Sequence, residues 1–205
     1  MSATKANRGF SLAELSVYSL LLSLLLGALY LLMASGMRYF RLGEAYQTVQ
    51  QETVVGLRKL GDELANASTN SVSYSNAPFP HVYFLSADRP QNVAGQPTYD
   101  SAGDLEWRKW VCYYHDVAGR RLMRVEEALG TPQVVPVGAA APAAPGGAAY
   151  FQGLPGATSL GSHVTGLSFT AEPGSAVLIR LTSQTDTASD KTTTVTLQNV
   201  VRMMN

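Results

Sequence analysis

The chain begins with a long apolar segment. From Phe10 to Ala34 nearly every side chain is apolar, and Glu14 is the one that carries a formal charge. As a helix rising ~1.5 Å per residue, this segment is about 37 Å long, which exceeds the ~30 Å hydrocarbon core of a bilayer. The pattern therefore predicts a transmembrane helix over residues 10–34.

Beyond this span the apolar positions recur at spacings of three and four, which is typical of an amphipathic helix. The periodic positions are Leu42, Tyr46, Val49, Thr53, Leu57, Leu60 and Leu64. Charged residues such as Arg58 and Asp62 fall elsewhere around the helix. We therefore expect one continuous helix over about residues 10–67, with residues 35–67 packed on a globular head.

Four glycines interrupt this helical pattern, each at a cost of ~1 kcal/mol relative to alanine. They are Gly27, Gly36, Gly43 and Gly56. Close helix packing explains them, and local melting or bending within a bundle is the alternative.

After Asn66 the pattern changes to short alternating segments separated by turn residues. Strands are predicted at residues 71–75, 81–85, 107–116, 121–129, 164–171, 176–183 and 192–204. Polar composition predicts loops at residues 88–106 and 184–191. The Ala, Pro and Gly composition of residues 137–149 predicts a flexible surface loop.

A long N-terminal helix followed by antiparallel strands predicts an α+β fold, with the helix covering one face of the sheet. The expected organisation is a transmembrane half over residues 10–34, an amphipathic half over residues 35–67, and a β-rich head over residues 68–205. Of the 205 residues, about 140 follow the helix, which is enough for a single core.

Charge and cysteine content narrow the functional classes. The formal net charge is +0, from 15 Lys and Arg against 15 Asp and Glu, so charge gives no support to nucleic-acid binding. The single cysteine, Cys112, cannot form an internal disulfide. An exported head must then be held together by packing, and Cys112 is expected to be a buried core thiol.

The carboxylate of Glu14 needs a partner, because an acidic side chain in lipid costs ~2.5 kcal/mol or more. No Lys or Arg follows it within the span. Cutting between Gly9 and Phe10 would create a free amine close by, on this chain or on a neighbouring one. Lys5 and Arg8 precede the span, so the positive-inside bias places the N-terminus in the cytoplasm. An uncut signal anchor is the alternative.

These features resemble the class III signal of type IV pilins and type II secretion pseudopilins. The matching residues are the basic leader MSATKANRG, the junction Gly9-Phe10 and the segment FSLAEL, with Glu14 fifth after the junction. The resemblance implies that a prepilin peptidase removes residues 1–9 at the inner membrane and methylates the new amine of Phe10. It also implies that Glu14 guides docking of the subunit into a filament of other pilins or pseudopilins.

The order of segments in the head is similar to that of PilW-type minor pilins and of the J-type minor pseudopilin of type II secretion. The similar pieces are Trp110 to Tyr114, Leu122 to Glu126, Val164 to Phe169 and Val195 to Asn205. The resemblance implies a pilin-like head and a role in assembly or priming, or at the filament tip. The chain would wait in inner-membrane lipid before it enters a pilus or pseudopilus.

The alternative function is a binding protein displayed on such a filament, either an adhesin or a DNA-uptake receptor. Exposed aromatic side chains would stack on sugars or bases, although sheet packing explains most of them. The aromatic candidates are Tyr83, Tyr99, Trp107, Tyr113 and Tyr114. DNA gains little support from charge, because Arg120, Arg121 and Arg124 form only a short cluster on one hairpin.

Enzymatic chemistry is not expected. No G-x-S-x-G, H-E-x-x-H or P-loop motif occurs, and the three histidines lie in separate segments, so we predict no cofactor. Asp100, Asp104 and Glu106 are weak candidates for Ca²⁺ binding through carboxylate oxygens. A solvated loop is the alternative, since their spacing matches no EF-hand. The pair Glu126-Glu127 is expected to face water at a strand end.

Overall fold

The computed structural model describes residues 11–87, 97–136, 138, 147–187 and 191–203. It shows an α+β architecture in which one long N-terminal helix precedes two antiparallel sheets. The chain divides into two compact units, residues 1–44 and residues 45–205. The leader, Gly9 and Phe10 lie outside the described residues.

The described residues form helices and strands that alternate with turns and loops. In chain order they are α1 (Leu12–Ala65), a single 3₁₀ turn (Thr69–Ser71), β1 (Ser73–Ser75), β2 (His81–Ser86), β3 (Thr98–Tyr99), β4 (Leu105–Asp116), β5 (Arg121–Gln133), α2 (Ala148–Gln152), β6 (Thr158–Gly161), β7 (Val164–Glu172), β8 (Ala176–Thr187) and β9 (Lys191–Arg202). The continuous helix and the antiparallel meander of the last three strands are as predicted.

Two sheets are built from these strands. The larger sheet has the order β1-β2-β4-β5-β6, and β3 pairs with the first two residues of β4. The smaller sheet has the order β7-β8-β9, and β8 is paired along its whole length with β9. All these pairings are antiparallel.

The main hydrophobic core lies between the second part of α1 and both sheets. Its largest fully buried members from the helix are Leu60 and Leu64, and those from the sheets include Phe84, Tyr113 and Ile179. Burial along α1 begins at Val49 and recurs with helical spacing, because the sheets cover that face from there onward.

Five of the seven periodic positions predicted for this helix face are buried; Leu42 is half-buried and Tyr46 is 43% exposed. Tyr46 lies one turn before the part of α1 that the sheets cover.

A second core lies on the opposite face of the larger sheet. Alternate residues of β2 and β4, including Leu85, Trp110 and Cys112, pack there against Phe151 of α2. Covering both faces explains why all six residues of β2 are buried rather than alternating. Cys112 is a buried core thiol as expected, and burial raises its pKa far above the ordinary range.

Several predicted loops are wrong in part. The segment predicted as a loop over residues 88–106 contains β3 and the first residues of β4, while residues 88–96 lie outside the described part. In the polar stretch 184–191, residues 184–187 belong to β8 and Lys191 begins β9, while residues 188–190 lie outside the described part. Cross-strand pairing extends both strands past the point where apolar alternation stops.

Part of the Ala, Pro and Gly segment predicted as a flexible loop is ordered. Residues 148 and 149 form the first turn of α2, with Ala148 buried. Residues 137 and 139–146 of that segment lie outside the described residues. Apolar periodicity could not have predicted α2 or β6, because the five residues of α2 and the four residues of β6 are too few to show a repeating pattern.

Candidate functional site

The first turn of α1 is closed by two reciprocal hydrogen bonds. The backbone N–H of Ser11 donates to Oε2 of Glu14 at 3.0 Å, and the backbone N–H of Glu14 donates to Oγ of Ser11 at 3.2 Å. This is a capping box, which satisfies backbone donors that would otherwise lack partners at a helix start. The S-x-x-E spacing at residues 11–14 is the sequence signal that would have found it.

Glu14 is solvent-exposed in the described chain, as are its neighbours along the apolar part of α1. Within the described residues, Oε2 is the carboxylate oxygen that accepts the capping bond. Glu14 therefore has a hydrogen-bond partner in its own helix start, and among residues 11–87 and the other described ranges no bond to its Oε1 is found.

The apolar part of α1 exposes large side chains around its whole circumference. From Leu12 to Phe40 the exposed large hydrophobic residues include Leu21, Leu25 and Leu32. The helix is long and apolar enough to cross a membrane, and the apolar stretch that qualifies has no buried residue. A surface of this kind is compatible with insertion in a membrane.

The hydroxyl groups within this apolar part bond to their own helix. Ser16, Ser19, Ser23 and Ser35 each donate to a backbone carbonyl three or four residues earlier, at 2.8–2.9 Å. Because these bonds pair the hydroxyl donors of the four serines, the four residues are compatible with a membrane helix.

The glycines of α1 fall into two groups. A Cβ built on Gly27, Gly36 or Gly43 has nothing within 4 Å, whereas one on Gly56 lies 3.1 Å from Cδ2 of Leu122. Gly61, which the sequence pattern did not single out, is tighter still, because its Cβ would lie 2.5 Å from Nδ2 of Asn199. Close packing thus explains Gly56 and Gly61, and the helix continues unbroken through the others.

A network of four charged side chains links α1 to the larger sheet. Arg124 donates through Nε to Glu63 on α1 at 3.1 Å and through Nη2 to Glu126 at 2.9 Å. Lys109 donates to the same Oε2 of Glu126 at 3.0 Å. The side chains of Glu63, Arg124 and Lys109 are 7%, 12% and 6% exposed, so the two anions and two cations neutralise each other within the protein.

The electrostatics of these groups follow from their pairing. Burial by itself would raise the pKa of Glu126, but hydrogen bonds from Lys109 and Arg124 outweigh it and hold that pKa below its ordinary value. Burial, followed by the neighbouring Glu63 carboxylate, raises the pKa of Tyr113 well above the usual range. Glu126 therefore does not face water at a strand end, which corrects the sequence-based expectation.

The second residue of that pair has a different partner. Glu127 accepts a hydrogen bond from the hydroxyl of Tyr150 in α2, a contact that joins β5 to the short helix. Alternation along β5 sends Glu126 and Glu127 to opposite faces, and an element packs on each face.

Two of the three carboxylates proposed for calcium are used locally, and Asp104 takes part in the same turn through its backbone. Oδ1 of Asp100 accepts the backbone N–H groups of Ala102 and Asp104, both at 2.8 Å, and Glu106 pairs with Arg108. Among the residues that the structure describes, no group of three or more His, Cys, Asp or Glu side chains is arranged to hold a metal ion. These bonds favour a structured turn over a calcium site.

Most of the aromatic and arginine side chains considered for ligand stacking and DNA contact are buried or ion-paired within the fold. Four of the five aromatic candidates are buried, and Tyr99 is the exposed one. Arg124 is paired within the network of charged side chains, and Arg121 pairs with Asp116 at 2.9 Å across the hairpin turn. The short arginine cluster therefore does not form a basic patch.

Comparisons of the chain with protein-family models, with curated protein sequences and with solved structures returned no match.

Proposed function

We propose that the chain is a minor pilin or pseudopilin, a subunit of a type IV pilus or of a type II secretion-like filament. The observation that carries the proposal is the single helix Leu12–Ala65, which is fully exposed and apolar in its first part and buried by sheets from Val49 onward. One helix with these two environments suits a subunit that is stored in a membrane and then packed by that helix into a bundle.

Residues 10–34 span the inner membrane in this proposal, with the N-terminus in the cytoplasm and a pilin-like head on the other side. Lys5 and Arg8 favour that orientation. A prepilin peptidase cuts between Gly9 and Phe10 and methylates the new amine. The head then helps to prime the filament or stands at its tip.

Glu14 has two tasks in this proposal. Its Oε2 caps the first turn of α1 through Ser11, and the remaining charge of the carboxylate meets the amine of Phe10 on a neighbouring subunit. Capping holds the carboxylate at a fixed place at the helix start, so docking loses less side-chain entropy. A motor elsewhere extracts the subunit from the membrane.

The test is the mass of the mature N-terminus in membranes and in sheared filaments of the native host. The expected species begins at N-methylated Phe10 and is present in the filament fraction. An uncut chain confined to membranes would overturn the proposal and favour a signal anchor.

A further inference from the structure

The two edges of the smaller sheet differ in how their backbone groups are used. On the β7 edge, the side-chain amide of Asn76 bonds both the N–H and the C=O of Phe169, each at 2.9 Å. At the start of β7, the N–H of Val164 donates to Arg120 O at 2.8 Å, and its C=O accepts from Nε2 of His115 at 3.0 Å. The head itself thus occupies the outward backbone groups of Val164 and Phe169 on this edge.

The opposite edge is formed by β9 and is open within the described residues. Each of its twelve residues has a partner on β8, and no shift in register interrupts the pairing. Just past the strand end, Met203 N–H donates to Ser175 O at 3.1 Å. Antiparallel alternation then directs the odd-numbered residues of β9 to β8, and the even-numbered residues direct their N–H and C=O groups outward.

The outward-directed backbone belongs to Thr192, Thr194, Thr196, Gln198, Val200 and Arg202. The β7 edge supports this assignment, because Phe169 pairs with Ile179, an odd-numbered residue that bonds β9, and its own N–H and C=O do point away from β8. The pattern of hydrogen bonds is therefore consistent across the sheet.

Between its two terminal cations, the described β9 edge has none of the devices that usually protect a strand from pairing. Natural edges are short, bulged, charged or interrupted by proline. The edge strands β1 and β6 of the larger sheet have three and four residues, and a register shift interrupts β5-β6 pairing. By contrast, β9 is long and regular, and it has no proline and no charge between Lys191 and Arg202.

We propose that the β9 edge is an interaction surface that takes one extended strand of another polypeptide, with an uncharged centre and an acidic residue at each end. Main-chain hydrogen bonds along the edge supply affinity, as in other cases of strand addition. The cations at the two ends supply selectivity, because opposite charges on neighbouring strands attract. This proposal does not depend on the membrane or filament role of α1.

A second copy of β9 is a poor occupant of the same edge. If two β9 strands pair antiparallel, Lys191 of one lies near Arg202 of the other at both ends. If they pair in parallel, like residues lie side by side. Either arrangement places cations together, which destabilises the pair.

The experiment measures amide hydrogen exchange of the full chain in detergent micelles, residue by residue across β9. The probe is a twelve-residue peptide of alternating Thr and Val with Glu at both ends, and the matched control peptide has Lys at both ends. The even-numbered amides exchange fast in the isolated protein. The acidic peptide slows them by about tenfold or more, and the basic peptide slows them far less.

Two variants at one position separate the backbone from the side chain. Thr196→Pro removes an outward N–H without removing a bond to β8, a placement that edge strands tolerate. It abolishes protection by the acidic peptide, whereas Thr196→Ala, which keeps the N–H, retains it. Unchanged slow exchange at the odd-numbered amides shows that the sheet is intact. If Thr196→Pro does not fold, Thr196→Lys weakens binding by adding an edge cation.

Slow exchange of the even-numbered amides in the isolated monomer would mean that a segment of the chain itself covers β9, and would overturn the proposal. The same protection appearing with protein concentration would assign the edge to a second copy and also overturn it. Equal binding of both peptides, or of both variants at position 196, has the same consequence. None of these outcomes bears on where the N-terminus is cut.

Discussion

Ser11 and Glu14 each bond the other's backbone N–H through a side-chain oxygen at the start of α1. This relationship changes how a carboxylate in an apolar segment is explained. Part of the explanation lies within the chain, because the first turn of any helix has donors that need acceptors. The negative charge is not needed for that purpose, since glutamine serves equally well in a capping box.

Glu14→Gln and Glu14→Ala therefore separate capping from docking. Glu14→Gln keeps the acceptor for Ser11 and removes the charge, whereas Glu14→Ala removes both. If docking depends on charge, we expect both variants to insert in the membrane and to enter filaments about tenfold less well, a difference of ~1.4 kcal/mol. Quantitative immunoblotting of membrane and sheared-filament fractions measures this ratio.

Ser11→Ala is the matched control, because it weakens the cap by ~1 kcal/mol and leaves the charge in place. It should enter filaments at close to the wild-type level. Normal incorporation of Glu14→Gln together with a defect in Ser11→Ala would contradict charge-based docking and assign Glu14 to the helix start alone.

Processing at the Gly9-Phe10 junction is predicted to need a small residue before the cut. Gly9→Val should leave the leader attached, because a branched side chain would crowd the peptidase at the scissile bond. The uncut chain is heavier by residues 1–9, which intact mass measurement detects directly. Ala3→Val introduces the same side chain further from the junction and should be cut normally; equal processing of both variants would argue against a specific cut.

Disrupting the buried network of charged side chains should destabilise the head strongly. Arg124→Met leaves Glu63 buried without its cation, so we expect the free energy of unfolding to fall by ~3–5 kcal/mol. Arg58→Met is the control, since its pair with Asp62 is 3.6 Å long and exposed, and such pairs contribute ~0.5 kcal/mol. Urea denaturation of the full chain in detergent compares the two, and a similar small loss for both would contradict the role of Arg124.

The stability of the head should depend on the ionisation of Glu126. Its pKa is lower in the folded protein than in the unfolded chain, so the unfolded chain takes up a proton first as the pH falls. The stabilisation is present above the unfolded value, ~4.3, and is lost as the pH drops through the lower folded value. Denaturation between pH 7 and pH 3 should show a flatter pH dependence for Glu126→Gln than for the wild type.

The tight contact between α1 and β9 predicts a steric effect at Gly61. Gly61→Ala places a Cβ against the Asn199 amide, and we expect a loss of ~1–3 kcal/mol in stability. Gly43→Ala meets no neighbour and should stabilise the helix by up to ~1 kcal/mol. Asn199→Ala should relieve most of the Gly61→Ala defect; no relief in the double variant would show that the strain lies elsewhere.

The sequence predicts α1 and the final meander well because both have strong periodicity. Leu57, Leu60 and Leu64 repeat with helical spacing, and Val177, Ile179 and Leu181 alternate as a half-buried strand does. No proline occurs before Pro78, which also favours a continuous helix. These predictions are confirmed because the residues that repeat with helical or strand periodicity are the ones that the folded protein buries.

What the sequence could not show depends on contacts between distant residues. Glu63 follows no apolar period and is buried because Arg124, 61 residues later, reaches it. The strand extensions at Thr185 and Thr193 exist because each strand pairs with the other, although neither has apolar alternation. The capping box is a different case, since its motif was present in four consecutive residues.

The bond between Asn76 and Phe169 bears on growth through the smaller sheet. A strand that joins β9 extends the sheet by one member, but a second molecule that offers its own β7 presents a strand whose Phe169 N–H and C=O are already bonded to Asn76. Continuous head-to-tail pairing of copies through this sheet would have to displace that side chain. Asn76 therefore disfavours an open-ended fibre while leaving the addition of one strand at β9 unaffected.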